Sequence, residues 1–232
     1  MSEQTTYKVV LIGESGVGKT CIINRYTNDK YDPNTVSSLT AQFIRKTIGL
    51  EGLAPVTLDI WDTAGQEKYR SLTKIFYKDA KAVILVYDIT NKKSFEEMTK
   101  YWYEQIKQFG SKDAILAIAA NKSDLYERME VKNEEGQKFA DEIGAFFTAT
   151  SAQNDSGVNT LFENIARKII DPDFDYAKEQ KDKKKKFEEM KKKKKKEEQE
   201  ENANKGVKLT TGKLNEKKKK KKKKKIQRKI NY

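Results

Sequence analysis

The segment Gly13-Glu-Ser-Gly-Val-Gly18-Lys19-Thr20 constrains this chain more than any other feature. It follows the apolar run Tyr7-Lys-Val-Val-Leu-Ile-Gly13, which reads as a buried strand, and it opens a helix expected from about Lys19 to Thr27. A strand, a glycine-rich turn and a helix in that order form the first unit of a parallel α/β sheet. The glycines let successive backbone N–H groups turn inward around phosphate oxygens, and the helix N-terminus adds its partial positive charge. Ser15, Gly16, Val17, Gly18, Lys19, Thr20 and Cys21 are therefore the expected phosphate cradle. Lys19 is expected to reach β- and γ-phosphates, and the Thr20 hydroxyl to ligate Mg²⁺.

The chain beyond this unit continues the α/β pattern. Strand-like segments at 41–48 and 55–61, joined by Gly49-Leu-Glu-Gly52, predict an antiparallel hairpin. Residues 81–88 form a continuous apolar run, as expected of a central strand buried on both faces. Helices are expected at 91–109, 131–143 and 157–170, and strands at 114–120 and 145–149. Asp171-Pro172 stops the last helix.

Charge divides the chain at that point. The net charge of the whole is +13, but residues 173–232 carry 26 Lys and Arg against 11 Asp and Glu, a net of +15. Residues 1–172 hold 22 basic and 24 acidic residues, so the expected organisation is a near-neutral globular domain over 1–172 and a lysine-rich, low-complexity tail over 173–232. Lys183–Lys186, Lys191–Lys196 and Lys217–Lys225 are unbroken lysine blocks, and the sparse apolar residues between them keep no heptad. Such a segment does not bury enough to fold alone, although 176–201 has helix-forming composition.

Composition also narrows the chemistry. Histidine is absent, which removes the commonest general base and metal ligand. Cys21 is the single cysteine, so no disulfide framework exists and a reducing compartment is expected. The N-terminal residues do not resemble a signal peptide, Ser2 is incompatible with N-myristoylation, and no apolar run approaches a membrane span.

Two further motifs choose the ligand. Asn121-Lys122-Ser-Asp124 follows the 114–120 strand at its C-terminal end, where ligands of open α/β sheets bind. A fixed carboxylate at Asp124 accepts two N–H donors from guanine, which adenine does not offer. Asp62-Thr-Ala-Gly65-Gln66 ends the 55–61 strand. Asp62 is placed to hold Mg²⁺ through water, Gly65 to approach a γ-phosphate with its N–H, and Gln66 to orient an attacking water. Ser151 and Ala152, in Thr150-Ser-Ala152, leave the last strand and are positioned to offer backbone N–H groups to the base.

With these motifs in this order, residues 6–170 resemble the Ras superfamily of small GTPases. Trp61-Asp-Thr-Ala-Gly-Gln-Glu-Lys-Tyr69 and Tyr87-Asp-Ile-Thr90 are Rab-like, and Ala117-Ile-Ala-Ala-Asn-Lys-Ser-Asp-Leu125 looks like the endosomal Rab branch. The resemblance implies a six-stranded, mostly parallel sheet with one antiparallel strand and helices on both faces. It implies a monomer with Mg²⁺-dependent binding of GTP and GDP, slow hydrolysis, and two switch loops ordered only with GTP. It implies an exchange factor, an activating protein, effectors that read Phe43, Trp61 and Phe76, and a role in vesicle trafficking on the cytoplasmic side of endomembranes. By position, Tyr31 resembles the aromatic residue that flanks the guanine.

The departures from the family pattern carry expectations of their own. The switch threonine falls on Ser38, which keeps a Mg²⁺-ligating hydroxyl but loses a methyl, with Thr35 and Thr40 near enough to substitute in a shifted register. Gln153 replaces the usual lysine of the guanine loop. Rabs normally end with one or two prenylated cysteines, whereas this chain ends Ile226-Gln-Arg-Lys-Ile-Asn-Tyr232. That ending predicts membrane attachment by charge, or else nuclear import directed by the lysine blocks. Besides the hydrolysing switch, two readings stay open: a GTP-binding module with little turnover, and a nuclear or nucleic-acid-associated GTPase without sequence-specific recognition.

Overall fold

The computed structural model describes residues 5–35, 41–63 and 75–175, together with 178, 179, 185, 190 and 191. Ser38, Thr40, Gly65, Gln66 and nearly all of the lysine tail lie outside the described residues. The chain divides into two units, Met1–Phe174 and Asp175–Tyr232. In the second unit, the described residues 178, 179, 185, 190 and 191 are helical.

In the first unit six strands form one sheet in the order β2-β3-β1-β4-β5-β6. They are β1 (Thr6–Ile12), β2 (Gln42–Ile48), β3 (Val56–Asp62), β4 (Ala82–Asp88), β5 (Ile115–Asn121) and β6 (Phe146–Ala149). β2 runs antiparallel to β3, pairing Phe43 with Trp61 and Ile48 with Val56, as the hairpin reading requires. The other pairings are parallel. The expected mixed sheet is therefore the observed one. All seven residues of β4 are buried, as its unbroken apolar run demands.

The helices are α1 (Lys19–Asn28), α2 (Lys92–Glu97), α3 (Tyr103–Phe109), α4 (Asn133–Ile143) and α5 (Val158–Ile170). Alternate side chains of the strands feed two separate cores. Val9, Leu11, Ile84, Val86, Ala117 and Ala119 pack on one face with Ile22 and Ile23 of α1 and Leu161, Phe162 and Ile165 of α5. There Tyr26 stacks on Phe162 at 3.9 Å between ring centroids. Val10, Ile12, Val83, Leu85, Tyr87, Ile118 and Ala120 point the other way, against Met98, Trp102, Ile106 and Ala140.

The periodicity over 91–109 predicts one long helix, and the run is helical from Lys92 to Phe109. A π-helical turn, Met98–Trp102, nevertheless separates α2 from α3. Its buried Met98 and Trp102 both enter the second core.

β1 sits between β3 and β4, so the chain winds away from it in both directions. A crevice at the carboxyl ends of the strands on either side of that reversal is where open α/β sheets bind ligands.

Candidate functional site

The phosphate loop leaves β1 at Gly13, whose φ is +149°. A Cβ there would lie 2.2 Å from the backbone oxygen of Val86, a collision no side chain survives. Ser15 and Gly16 are exposed in the turn and Val17 is buried. Gly18, at φ +96°, caps α1 in a left-handed conformation that leaves its N-terminus without a side-chain cap or an acidic residue in the first turn. The N–H groups of that first turn have no helical carbonyl to bind, which suits an anion.

Lys19 lies across this loop. Its Nζ donates to Gly13 O at 2.9 Å and to Glu14 O at 2.8 Å, and the residue is only 5% exposed. Burial pulls its pKa down from 10.5 to about 8, opposed by the carboxylates of Asp62 and Glu14. A cation held out of water in this way is poised to gain an anionic partner.

Next to it, the Thr20 hydroxyl donates to Asp62 Oδ2 at 2.6 Å. One hydroxyl and one buried carboxylate thus converge from α1 and the end of β3. These are hard oxygen donors of the kind Mg²⁺ takes, and the residues fit that ion. Among the described residues no group of three His, Cys, Asp or Glu gathers elsewhere as a metal cage. Mg²⁺ of this type retains waters and binds substrate phosphates, so it takes few protein oxygens.

Two more loops close the crevice. Asn121, at the end of β5 and 2% exposed, donates from Nδ2 to Val17 O at 2.8 Å and accepts from the Thr150 hydroxyl at 3.2 Å. One side chain therefore ties the phosphate loop to the loop after β6. Lys122 adopts φ +64° and pairs with Asp88 at 2.6 Å. Ser151 donates its hydroxyl to Asp124 Oδ1, and its N–H donates to Ser156 O at 2.8 Å.

Asp124, Lys122, Asn121, Ala152 and Gln153 line one side of an open cleft, and Gly16, Gly18, Cys21 and Tyr31 line the other. Its volume is about 160 Å³. That is on the order of the ~150 Å³ engineered cavity that accepts a benzene ring. Thr35 also lines this cleft, with its hydroxyl on Asp32 O at 2.7 Å.

A model of the Ras family matches residues 8–171. Ras-related protein Rab-10 of Caenorhabditis elegans is 41% identical over 174 residues, covering 75% of this chain and 86% of that protein. Ras-related protein Rab-8B of Homo sapiens is 40% identical over 164 residues, covering 71% and 78%. Ras-related protein SEC4 of Saccharomyces cerevisiae is 38% identical over 168 residues, covering 72% and 77%.

The chain belongs to the Rab family of small GTPases.

The levels of identity are nearly equal across differently named Rabs, so they place this GTPase in the family without assigning it to one member. The matched span ends at residue 171, and the lysine-rich segment lies beyond it.

In this Rab-family GTPase, sequence reasoning passed over Arg25. From the last turn of α1 its Nε donates to Ala152 O at 2.7 Å and its Nη2 to Gln153 O at 3.1 Å, while Nη1 meets Asp29 Oδ1 at 2.6 Å. The guanidinium fork grips two successive carbonyls of the loop expected to face the base. Nothing local announces this, because the partners lie 127 and 128 residues away.

The three aromatics expected to meet effectors do form one group. Phe43 stacks on Trp61 at 5.2 Å, and Trp61 meets Phe76 at 5.7 Å. Phe43 is 52% exposed, whereas Trp61 and Phe76 are half-buried against the second core.

Proposed function

We propose that this GTPase is a guanine-nucleotide switch acting in vesicle trafficking, with GTP and GDP held across the crevice just described. The observation that carries the reading is the convergence of three separated loops, 13–20, 121–124 and 150–153, on one cleft through Asn121. Ser15 through Cys21 take the phosphates with backbone N–H groups and Lys19. Asp124, held by Ser151, takes the two N–H donors of guanine, with Asn121 and Lys122 fixing that loop. Ala152 offers its backbone N–H to the base, the Ser151 N–H being taken by Ser156 O at 2.8 Å, and Tyr31 flanks the ring.

Thr20 and Asp62, with Ser38 of the switch, would hold Mg²⁺, which when bound neutralises charge on the phosphates. Gly65 meets the γ-phosphate and Gln66 orients the attacking water. The paired Phe43, Trp61 and Phe76 present an aromatic surface to effectors, and an exchange factor and an activating protein set the cycle. The lysine blocks draw the protein to an anionic, cytoplasmic membrane surface at about 1 kcal/mol per lysine near the surface, an upper limit because neighbouring lysines repel. Among the described residues no helix is long and apolar enough to cross a membrane.

The test is single-turnover hydrolysis of bound GTP. The unmodified protein should turn over at roughly 10⁻⁴ to 10⁻³ s⁻¹, by analogy with Ras, and faster with an activating protein. Gln66→Leu should abolish most of that acceleration. Equal rates with and without the substitution would remove Gln66 from the mechanism.

A further inference from the structure

Glu14 is the one acidic residue between Gly13 and Thr20, and a carboxylate in that loop stands close to where phosphates bind. Its charge already registers on the Lys19 ammonium, whose pKa it pushes upward. Turned toward a di- or triphosphate, the same charge would repel it. The structure sends it elsewhere. The indole Nε1 of Trp102 donates to Glu14 Oε1 at 2.8 Å, across 88 residues of sequence.

Trp102 is 1% exposed and closes the π-helical turn Met98–Trp102 between α2 and α3, so its ring is fixed in the second core. Glu14 is held at its other end as well, since its backbone oxygen accepts from Lys19 Nζ. Tryptophan has a single hydrogen-bond donor, and here that donor meets a carboxylate, the stronger class of acceptor.

We propose that Trp102 is a positioning residue for nucleotide binding: its indole N–H latches the Glu14 carboxylate away from the bound phosphates and pins the phosphate loop to the 98–102 turn. The inference rests on the guanine-nucleotide reading above, but the contact itself is testable without nucleotide. A shift of the 98–102 turn releases the carboxylate toward the phosphates and weakens their hold, so this turn is a lever on nucleotide release.

The experiment uses the full chain with Trp102→Phe, Glu14→Gln and the pair combined, and follows release of a fluorescent GDP analogue. Trp102→Phe keeps an aromatic ring but removes the donor, and release should become about tenfold faster, the scale of one charge-assisted hydrogen bond. Glu14→Gln alone keeps an acceptor and removes the charge, and should leave release within about threefold. Adding Glu14→Gln to Trp102→Phe should recover most of the loss, because the repelling charge is gone. A Trp102 that matters only as packing gives equal release from Trp102→Phe and from the double variant, and that equality overturns the proposal. So does unchanged release in Trp102→Phe.

Should Trp102→Phe fail to fold, the indole N–H resonances decide. The chain has two tryptophans, and Trp61→Phe assigns the pair. The Trp102 signal should move upfield in Glu14→Gln, with or without nucleotide, and an unmoved signal overturns the latch. If the unmodified chain binds no guanine nucleotide, the functional reading fails, and that outcome is separate from a missing indole shift.

Discussion

Lys19→Met separates binding from stability, and the structure sets both magnitudes. Burial depresses the Lys19 pKa from 10.5 to about 8. At about 1.36 kcal/mol per pKa unit, keeping the ammonium charged at pH 7 costs the nucleotide-free domain roughly 3 kcal/mol. The variant recovers that cost but loses the bonds to Gly13 O and Glu14 O. Bonds from a charged donor are worth about 1.5 kcal/mol net each, so gain and loss nearly cancel and the variant should match its parent within about 1 kcal/mol at pH 7. In a domain of this size that is a melting temperature within about 2–4 °C of the parent's.

The pH dependence gives the sign independently. Between pH 8 and 10.5 the unfolded chain binds the Lys19 proton and the folded chain does not. Stability of the unmodified domain therefore rises with pH across that window relative to the variant. Relative to its parent, Lys19→Met is therefore most stable below about pH 8 and loses ground toward 10.5. Nucleotide affinity should fall ~100-fold at pH 7 with the loss of a charge-assisted phosphate contact. Denaturant titrations of protein stripped with chelator and phosphatase measure the first effect, and fluorescent GDP titration measures the second. A variant less stable than its parent by more than about 2 kcal/mol at pH 7, or with unchanged affinity, would refute the reasoning.

Other residues give shorter tests. Arg25→Gln removes the fork on Ala152 and Gln153 while leaving the phosphate side intact, so release of fluorescent GDP should quicken about tenfold. An unchanged rate would mean that the loop is held by Ser151 and Asn121 alone. Deleting Lys217–Lys225 should strip most binding to phosphatidylserine vesicles in sedimentation. Binding of the intact chain should collapse by half-molar salt, where screening is shorter than the ~8 Å of physiological solution. Binding that survives that salt, or is equal on neutral lipid, would contradict attachment by charge.

Much of this was legible in the sequence where the cause is local. Gly13 and Gly18 announce a loop because only glycine tolerates their backbone or their neighbours, and the run from Ala82 to Asp88 announces a strand buried on both faces. The hairpin spacing brings Phe43 opposite Trp61 once the antiparallel register is fixed. What escaped the reading depends on contacts far apart in sequence between ordinary residue types. Arg25 looks like any basic residue near a helix C-terminus, and Trp102 like any aromatic on an apolar face. Their roles arise from backbone carbonyls and a carboxylate that the fold delivers from elsewhere. The π-turn is equally silent, since one extra residue in a turn leaves the apolar spacing of 91–109 helical. Lys122 at φ +64° breaks the preference of that conformation for glycine and asparagine, and its ion pair with Asp88 sits at the site itself.

The central claim is that the cleft reads guanine through Asp124 while the phosphate loop holds the phosphates. Calorimetric titration of the nucleotide-free protein with GDP, ADP and xanthosine diphosphate, before and after Asp124→Asn, tests it most directly. The unmodified protein should bind GDP and scarcely bind ADP. The variant should lose GDP and gain the xanthine nucleotide, because an amide replaces a pair of acceptors. Comparable affinity for ADP and GDP, or an Asp124→Asn variant with unaltered preference, would contradict the account.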